Sequence, residues 1–67
     1  MRPRIHVLPD ESGWSVKRSD SYAAVSTHER RDDAISSAKT LAEHHQVQLI
    51  IHDDEGEVIR VTEPAER

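Results

Sequence analysis

The chain has 67 residues, which suffices for one small domain and is too short for a catalytic domain joined to a second module. Hydrophobic residues make up 34% of it and charged residues 33%, and no run approaches the roughly 18 apolar residues of a membrane-spanning helix, so we expect no membrane protein. The formal net charge is −4, which argues against a broad nucleic-acid footprint. Cysteine is absent, which excludes disulfides, thiolate metal sites and cysteine nucleophiles.

The N-terminal part predicts a β-hairpin followed by a weaker strand. Residues 4–8 and 14–18 alternate between apolar and polar side chains and are joined by turn-forming residues that end in Gly13. After a second turn, residues 22–26 predict a third strand. Its two alanines have little β preference, so we expect this strand at an edge of the sheet.

An amphipathic helix follows the third strand. Its apolar residues recur at helical spacing and form one stripe, consisting of Ala34, Ile35, Ala38, Leu41 and Ala42. Two starts remain open: Ser26 and Glu29 have the spacing of a capping box, and a start within residues 29–31 fits the stripe equally well. Residues 44–46 end the helix.

The C-terminal part predicts a second hairpin. Residues 48–52 form the most hydrophobic run and predict a strand covered on both faces. A turn that includes Gly56 leads to a returning strand over residues 57–62. The element order β-β-β-α-β-β predicts a two-layer α+β domain, an antiparallel sheet covered by one helix. We assign residues 1–62 to this single domain and residues 63–67 to a frayed tail.

Three short motifs resemble a family of short bacterial proteins, domain-of-unknown-function family 2188. They are Gly13-Trp14-Ser15-Val16-Lys17, Asp33-Ala34-Ile35, and the hairpin Ile51-His52 with Gly56 and Val58-Ile59. The resemblance covers residues 5–61 and implies a compact fold without implying a mechanism. This sequence departs from the family pattern at Arg30, where a capping Thr is usual, and at Glu57, where a basic residue is common.

The positive charges lie mainly in the first part of the chain. Residues 1–39 carry seven Lys and Arg against six Asp and Glu, whereas residues 40–67 carry two against seven. One hypothesis is a nucleic-acid surface with Trp14 or Tyr22 stacking on a base and with phosphate contacts from Arg2, Arg4, Lys17, Arg18, Arg30 and Arg31. The alternative is a solvated hairpin with Trp14 in the core. Alternation places only Lys17 and His6 on a shared face.

The negative charges cluster around Gly56. They belong to Asp53, Asp54, Glu55 and Glu57, whose spacing does not match a calcium-binding loop. The residues fit a polar hairpin turn, and they also offer an acidic surface, extended by Glu63, to a basic protein partner.

The sequence contains no pattern of an enzyme, a metal site or a cofactor site. His44 and His45 are adjacent, so on a helix they point about 100° apart and are poorly placed to chelate one ion. There is no His-Glu-x-x-His motif and no Gly-x-Ser-x-Gly elbow. We therefore expect a non-enzymatic protein without metal or cofactor.

The composition favours an interaction module as the function. Phe is absent and Trp14 and Tyr22 are the only aromatic residues, so the core is thin and we expect a homodimer. The predicted pairing edges are residues 22–25 and 58–61. We expect the module to bind another macromolecule, with nucleic-acid binding and masking of a basic protein as alternatives. The N-terminus lacks a secretory signal pattern, so we expect a cytoplasmic location.

Overall fold

The computed structural model describes residues 3–64 and contains a five-stranded sheet with one helix against it. The elements in chain order are β1 (Ile5–Asp10), β2 (Gly13–Arg18), β3 (Ala24–His28), α1 (Arg31–His45), β4 (Leu49–His52) and β5 (Val58–Thr62). The strands lie side by side in the order β3-β2-β1-β4-β5. This arrangement confirms the predicted α+β fold and its element order.

The sheet is mixed, so the prediction of an antiparallel sheet is wrong at the contact between β1 and β4, which is parallel. The length of α1 explains the direction of β4. Its 15 residues span about 22 Å and carry the chain from the end of β3 back across the sheet, so β4 runs in the direction of β3. β1 runs the same way, because two antiparallel pairings separate it from β3.

A tight turn joins β1 to β2. Only Glu11 and Ser12 lie between the paired residues Asp10 and Gly13, so the turn is shorter than the predicted segment of residues 9–13. The carboxylate of Asp10 accepts hydrogen bonds from the backbone N–H and the hydroxyl of Ser12, at 2.9 and 3.1 Å. Gly13 has a φ of +135°, and a Cβ at this position would lie 2.5 Å from the carbonyl oxygen of His28.

The third strand begins two residues later than predicted. Residues 19–23 form the loop between β2 and β3, in which the hydroxyl of Ser21 accepts a hydrogen bond from the N–H of Ala23 at 3.2 Å. The side chain of Tyr22 is fully exposed in this loop. The strand β3 contains the β-branched residues Val25 and Thr27, whose β propensity is high.

The helix begins after Arg30, whose side chain makes no capping hydrogen bond. This agrees with the predicted start within residues 29–31, whereas the alternative capping box at Ser26 is wrong because Ser26 belongs to β3. Asp32 and Asp33 lie in the first turn, where negative charge is favourable. The helix ends as predicted at Gln46, which adopts a left-handed φ of 56°. Within residues 3–64, no helix has the length and apolar character needed to cross a membrane.

The core lies between α1 and the sheet face that it covers. The helix contributes three buried alanines, Ala34, Ala38 and Ala42. The strands and the segment before β4 contribute the larger aliphatic side chains, namely Ile5, Val7, Val16, Val47, Leu49 and Ile51. Trp14 packs against the margin of this cluster, so its predicted place in the core agrees with the structure.

The end of the described chain is tied to the segment that precedes β4. The carboxylate of Glu63 accepts a hydrogen bond from the side-chain amide of Gln48 at 2.6 Å. Residues 65–67 of the predicted tail lie outside the described residues, as do residues 1–2.

We expect Gly13→Ala to lower the free energy of unfolding by more than about 2 kcal/mol, since the new methyl group must displace the backbone of residues 28 and 29. Gly56→Ala is the matched control. Gly56 also has a positive φ, of +88°, but nothing lies within 4 Å of the added Cβ, so we expect a loss of about 1 kcal/mol. Urea denaturation followed by Trp14 fluorescence measures both losses, and equal losses would contradict the role of the contact with His28.

Candidate interaction surface

The sheet has a second face, opposite α1, which we call the open face. The strand register places its side chains in two rows across the sheet. The first row comprises Ala24, Lys17, His6, Ile50 and Val61, and the second row comprises Thr27, Ser15, Leu8, His52 and Val58. No element among residues 3–64 packs on this face.

Apolar side chains form the β4–β5 side of the open face. Val58 and Val61 are 56% and 51% exposed, whereas Ile50 between β1 and β5 is only 5% exposed. Ile50 is therefore buried by its neighbours on the sheet, while Leu49 and Ile51 are buried under the helix. All four residues of β4 are buried, but the prediction of a strand covered on both faces is wrong for the open face, where neighbouring strands and not a second layer bury Ile50.

Two histidines form a hydrogen-bonded pair at the centre of the open face. Nδ1 of His52 lies 3.0 Å from the carbonyl oxygen of Gly56, which only accepts, so Nδ1 carries a hydrogen and donates it. In neutral His52, Nε2 is then bare, and it accepts the hydrogen bond donated by Nδ1 of His6 at 3.0 Å. The ring centroids are 5.2 Å apart. The Gly56 carbonyl thus sets the hydrogen positions of both rings in the neutral pair.

The surroundings of the pair disfavour a charge on His6. Burial lowers the pKa of His6 below its usual value of 6.5, and the charges of His52 and Arg4 lower the pKa further. The neutral form is therefore favoured in the folded protein, in agreement with the hydrogen-bond pattern of the pair.

The predicted basic residues do not share one surface. Lys17 shares the open face with His6, as predicted, and the strand register makes the two residues direct neighbours. Arg18 lies opposite Ile5 and therefore on the helix side, where its guanidinium is 3.0 Å from the carboxylate of Asp20. Arg30 precedes α1, and Arg4 precedes β1.

The other predicted basic residues and aromatic rings are separated in the same way. The guanidinium carbon of Arg31 lies 5.5 Å from the ring centroid of Trp14, on the side of the sheet that α1 covers. Tyr22 lies in the β2–β3 loop, and Arg2 lies outside the described residues. Neither of the two predicted stacking rings, Trp14 or Tyr22, therefore lies beside Lys17 on the open face.

The predicted acidic cluster forms the turn between β4 and β5. One oxygen of the Asp53 carboxylate accepts hydrogen bonds from the backbone N–H groups of Glu55 and Glu57, both at 2.9 Å. Asp54, Glu55 and Glu57 are exposed. Asp53 therefore shapes the turn, whereas the other three carboxylates remain available on the surface.

The histidines at the end of α1 do not converge on a metal site. The rings of His44 and His45 meet edge to face with centroids 5.0 Å apart. Among residues 3–64, no group of three or more His, Asp or Glu side chains is arranged to hold a metal ion.

The comparison with known families covers nearly the whole fold. Residues 5–61 match the family model described as "Uncharacterized protein conserved in bacteria (DUF2188)". The chain belongs to this family. The matched span of this DUF2188 member runs from the first residue of β1 into β5, so it includes both faces of the sheet and the histidine pair. No curated protein and no solved structure matches the chain.

The histidine pair of this DUF2188 member was not predicted from the sequence. His6 and His52 are 46 positions apart and meet only because β1 and β4 run in parallel. A signal was nevertheless present. A strand that is hydrophobic on both faces, residues 49–51, requires a neighbour on each side, and the preceding helix sets its direction parallel to β1.

We expect Asp53→Ala to lower the free energy of unfolding by about 1–2 kcal/mol, because two backbone N–H groups lose their acceptor. Asp54→Ala is the control, since the Asp54 carboxylate makes no hydrogen bond within residues 3–64, and we expect a change below about 0.5 kcal/mol. Thermal denaturation measures both changes. A loss in Asp54→Ala as large as that in Asp53→Ala would contradict this account of the turn.

We expect the free energy of unfolding to decrease as the pH falls through 6.5, because the lowered pKa of His6 means that the unfolded chain binds the proton more readily than the folded chain does. His6→Gln removes this group and should flatten the dependence between about pH 7.5 and 5.5. His44→Gln, at an exposed position of α1, should keep the profile of the unchanged protein. Urea denaturation at low protein concentration gives the profiles, and a profile of His6→Gln as steep as that of the unchanged protein would contradict this role of His6.

Proposed function

We propose that this protein is a small non-enzymatic interaction module that self-associates through the open face and binds another macromolecule as a dimer. The observation that supports it is the absence of a second layer on this face within residues 3–64, although the face carries Leu8, Val58 and Val61 around the buried Ile50. Burying apolar surface is favourable by about 25 cal/mol for each Å² removed from water, so a partner that covers this face lowers the free energy of the system.

The charges of the open face favour a second copy of this chain as that partner. Lys17 lies on β2 at one side, and Glu63 follows β5 at the other. Glu63 lies one residue beyond the end of β5, and alternation continued past Thr62 puts it on the face of Val61, where the amide of Gln48 donates a hydrogen bond to its carboxylate. A two-fold axis parallel to the strands and between β1 and β4 sets β2 of one copy over β5 of the other. Lys17 of each copy then approaches Glu63 of the other, so the charges of the two open faces are complementary.

The face is a better self-association surface than the edges of the sheet. The strand order places β3 and β5 at the edges, as predicted. Each edge strand, however, pairs with its neighbour through a register shift, between Val16 and Lys17 at β3 and between Ile51 and His52 at β5. Bulges of this kind increase the local twist and hinder the continuous pairing of two edges.

The size of the face sets the expected strength of self-association. Five strands about 4.8 Å apart and about five residues long give a flat area on the order of 400 Å² for each copy. Stable complexes bury about 800 Å² for each partner, so this dimer belongs with the small, reversible interfaces. We therefore expect dissociation constants in the micromolar range and not an obligate dimer.

The second partner is proposed to be basic. Asp54, Glu55 and Glu57 are exposed in the β4–β5 turn, and none of their carboxylates pairs with a Lys or Arg within residues 3–64. In a dimer formed through the open faces, this turn lies at an end of the sheet and stays accessible. A cluster of unpaired carboxylates attracts a basic surface and repels nucleic acid.

We expect Val61→Lys to weaken self-association at least tenfold, because it places a charge in the apolar part of the open face. Val25→Lys is the matched control, since Val25 is a valine with the same 51% exposure at the bulge of the opposite edge strand. Sedimentation equilibrium from about 10 µM to about 1 mM measures the dissociation constants. A monomer over this whole range, or equal weakening by the two substitutions, would contradict the proposal.

A further inference from the structure

We propose that the His6–His52 pair makes self-association depend on pH, so that the neutral pair permits the dimer and the protonated pair dissociates it. This inference rests on the proposed function, because it assigns a control to the same surface. It starts from the position of the pair. The two rings lie on β1 and β4, the central strands of the open face for the two-fold arrangement proposed above. In such a dimer, each pair faces its symmetry-related copy.

The hydrogen-bond chain limits the number of protons that the pair can hold. The neutral pair carries one hydrogen on each Nδ1, and both hydrogens are used, one toward Gly56 and one toward His52. A first additional proton binds Nε2 of His6 and leaves both hydrogen bonds intact, but it adds a positive charge. A second additional proton must bind Nε2 of His52, and then two N–H groups meet across 3.0 Å and the bond between the rings is lost.

The other charges near the pair increase the effect of protonation. Lys17 lies beside His6 on β2, and Arg4 precedes β1 and contributes to the lowered pKa of His6. On the other side, β5 presents only Val58 and Val61 next to the pair, with Glu63 beyond Val61. β3 presents Ala24 and Thr27, and α1 packs on the opposite face of the sheet. Two carboxylates also belong to the strands of the pair or adjoin them, since Asp10 ends β1 on the same face and Asp53 directly follows His52. The charges that act on His6 itself are positive, so an added proton on His6 is opposed by its neighbours.

A dimer places these charges in an environment that disfavours them further. The apolar contact removes water from the half-buried ring of His6, and burial without an opposite charge disfavours the protonated form. Each copy also brings its own pair to the interface, so protonation places like charges opposite one another. Dissociation therefore takes up protons, and the dimer weakens as the pH falls.

The test is sedimentation equilibrium at about pH 7.5 and about pH 5.5, with the fold checked by circular dichroism at each pH. For the unchanged protein we expect the dissociation constant to rise by about tenfold or more toward the lower pH, as uptake of one proton by each copy requires. In His6→Gln, which has no titrating ring at this position, we expect the ratio of the two constants to approach one. The control His44→Gln, on the exposed end of α1, should keep the ratio of the unchanged protein.

The outcomes separate this inference from the proposed function. A dimer with the same dissociation constant at both pH values, or a His6→Gln variant with the ratio of the unchanged protein, overturns the pH control and leaves self-association standing. A monomer at both pH values overturns both. A second measurement covers the case in which acid unfolds the chain. The titration of the His6 ring by NMR should give a lower pKa at about 1 mM than at about 20 µM, and equal values overturn the inference.

Discussion

The packing of α1 on the sheet through alanine side chains is the contact on which the rest of the structure depends. Methyl groups at Ala34, Ala38 and Ala42 let the helix backbone approach Val7 and Val16 closely, so a chain without phenylalanine still forms a dense core. The area of sheet that this contact covers is limited by the width of one helix. A helix is about 10–12 Å wide with its side chains, whereas five strands span about 20 Å. One helix therefore covers part of one face, and the open face is a direct consequence.

The histidine pair follows from that limit together with the direction of β4. On a covered face, two imidazoles would require buried partners for every nitrogen. On the open face they lie among Ile50, Val58 and Val61, where neighbours on the same sheet bury His52 and half-bury His6. The carbonyl of Gly56 supplies the one acceptor that orders the chain of hydrogen bonds. Gly56 of the turn, His52 of β4 and His6 of β1 thus form one short chain of hydrogen bonds at the centre of an apolar surface.

The sequence predicted the elements better than it predicted their contacts. The helix, both hairpins and the buried strand β4 follow from periodicities and turn residues that act over a few positions. The third strand was displaced by two residues, because the serine-stabilised loop before Ala24 competes with weak β propensity. The capping box at Ser26 and Glu29 does not form, because Ser26 pairs with Val16 inside β3, which continues to His28.

For the candidate surface, too, the sequence predicts local features and not the contacts between distant residues. Alternation alone predicts that Lys17 and His6 share a face and that Arg18 lies on the other one, because this depends only on the two-residue period of a strand. The sequence also located the acidic turn and the apolar side chains of β5. It did not bring His6 to His52 or reveal which face lacks a covering layer. Those features depend on the parallel contact of β1 with β4 and on where one helix comes to rest, and both are set by contacts between residues far apart in the chain, which local patterns do not encode.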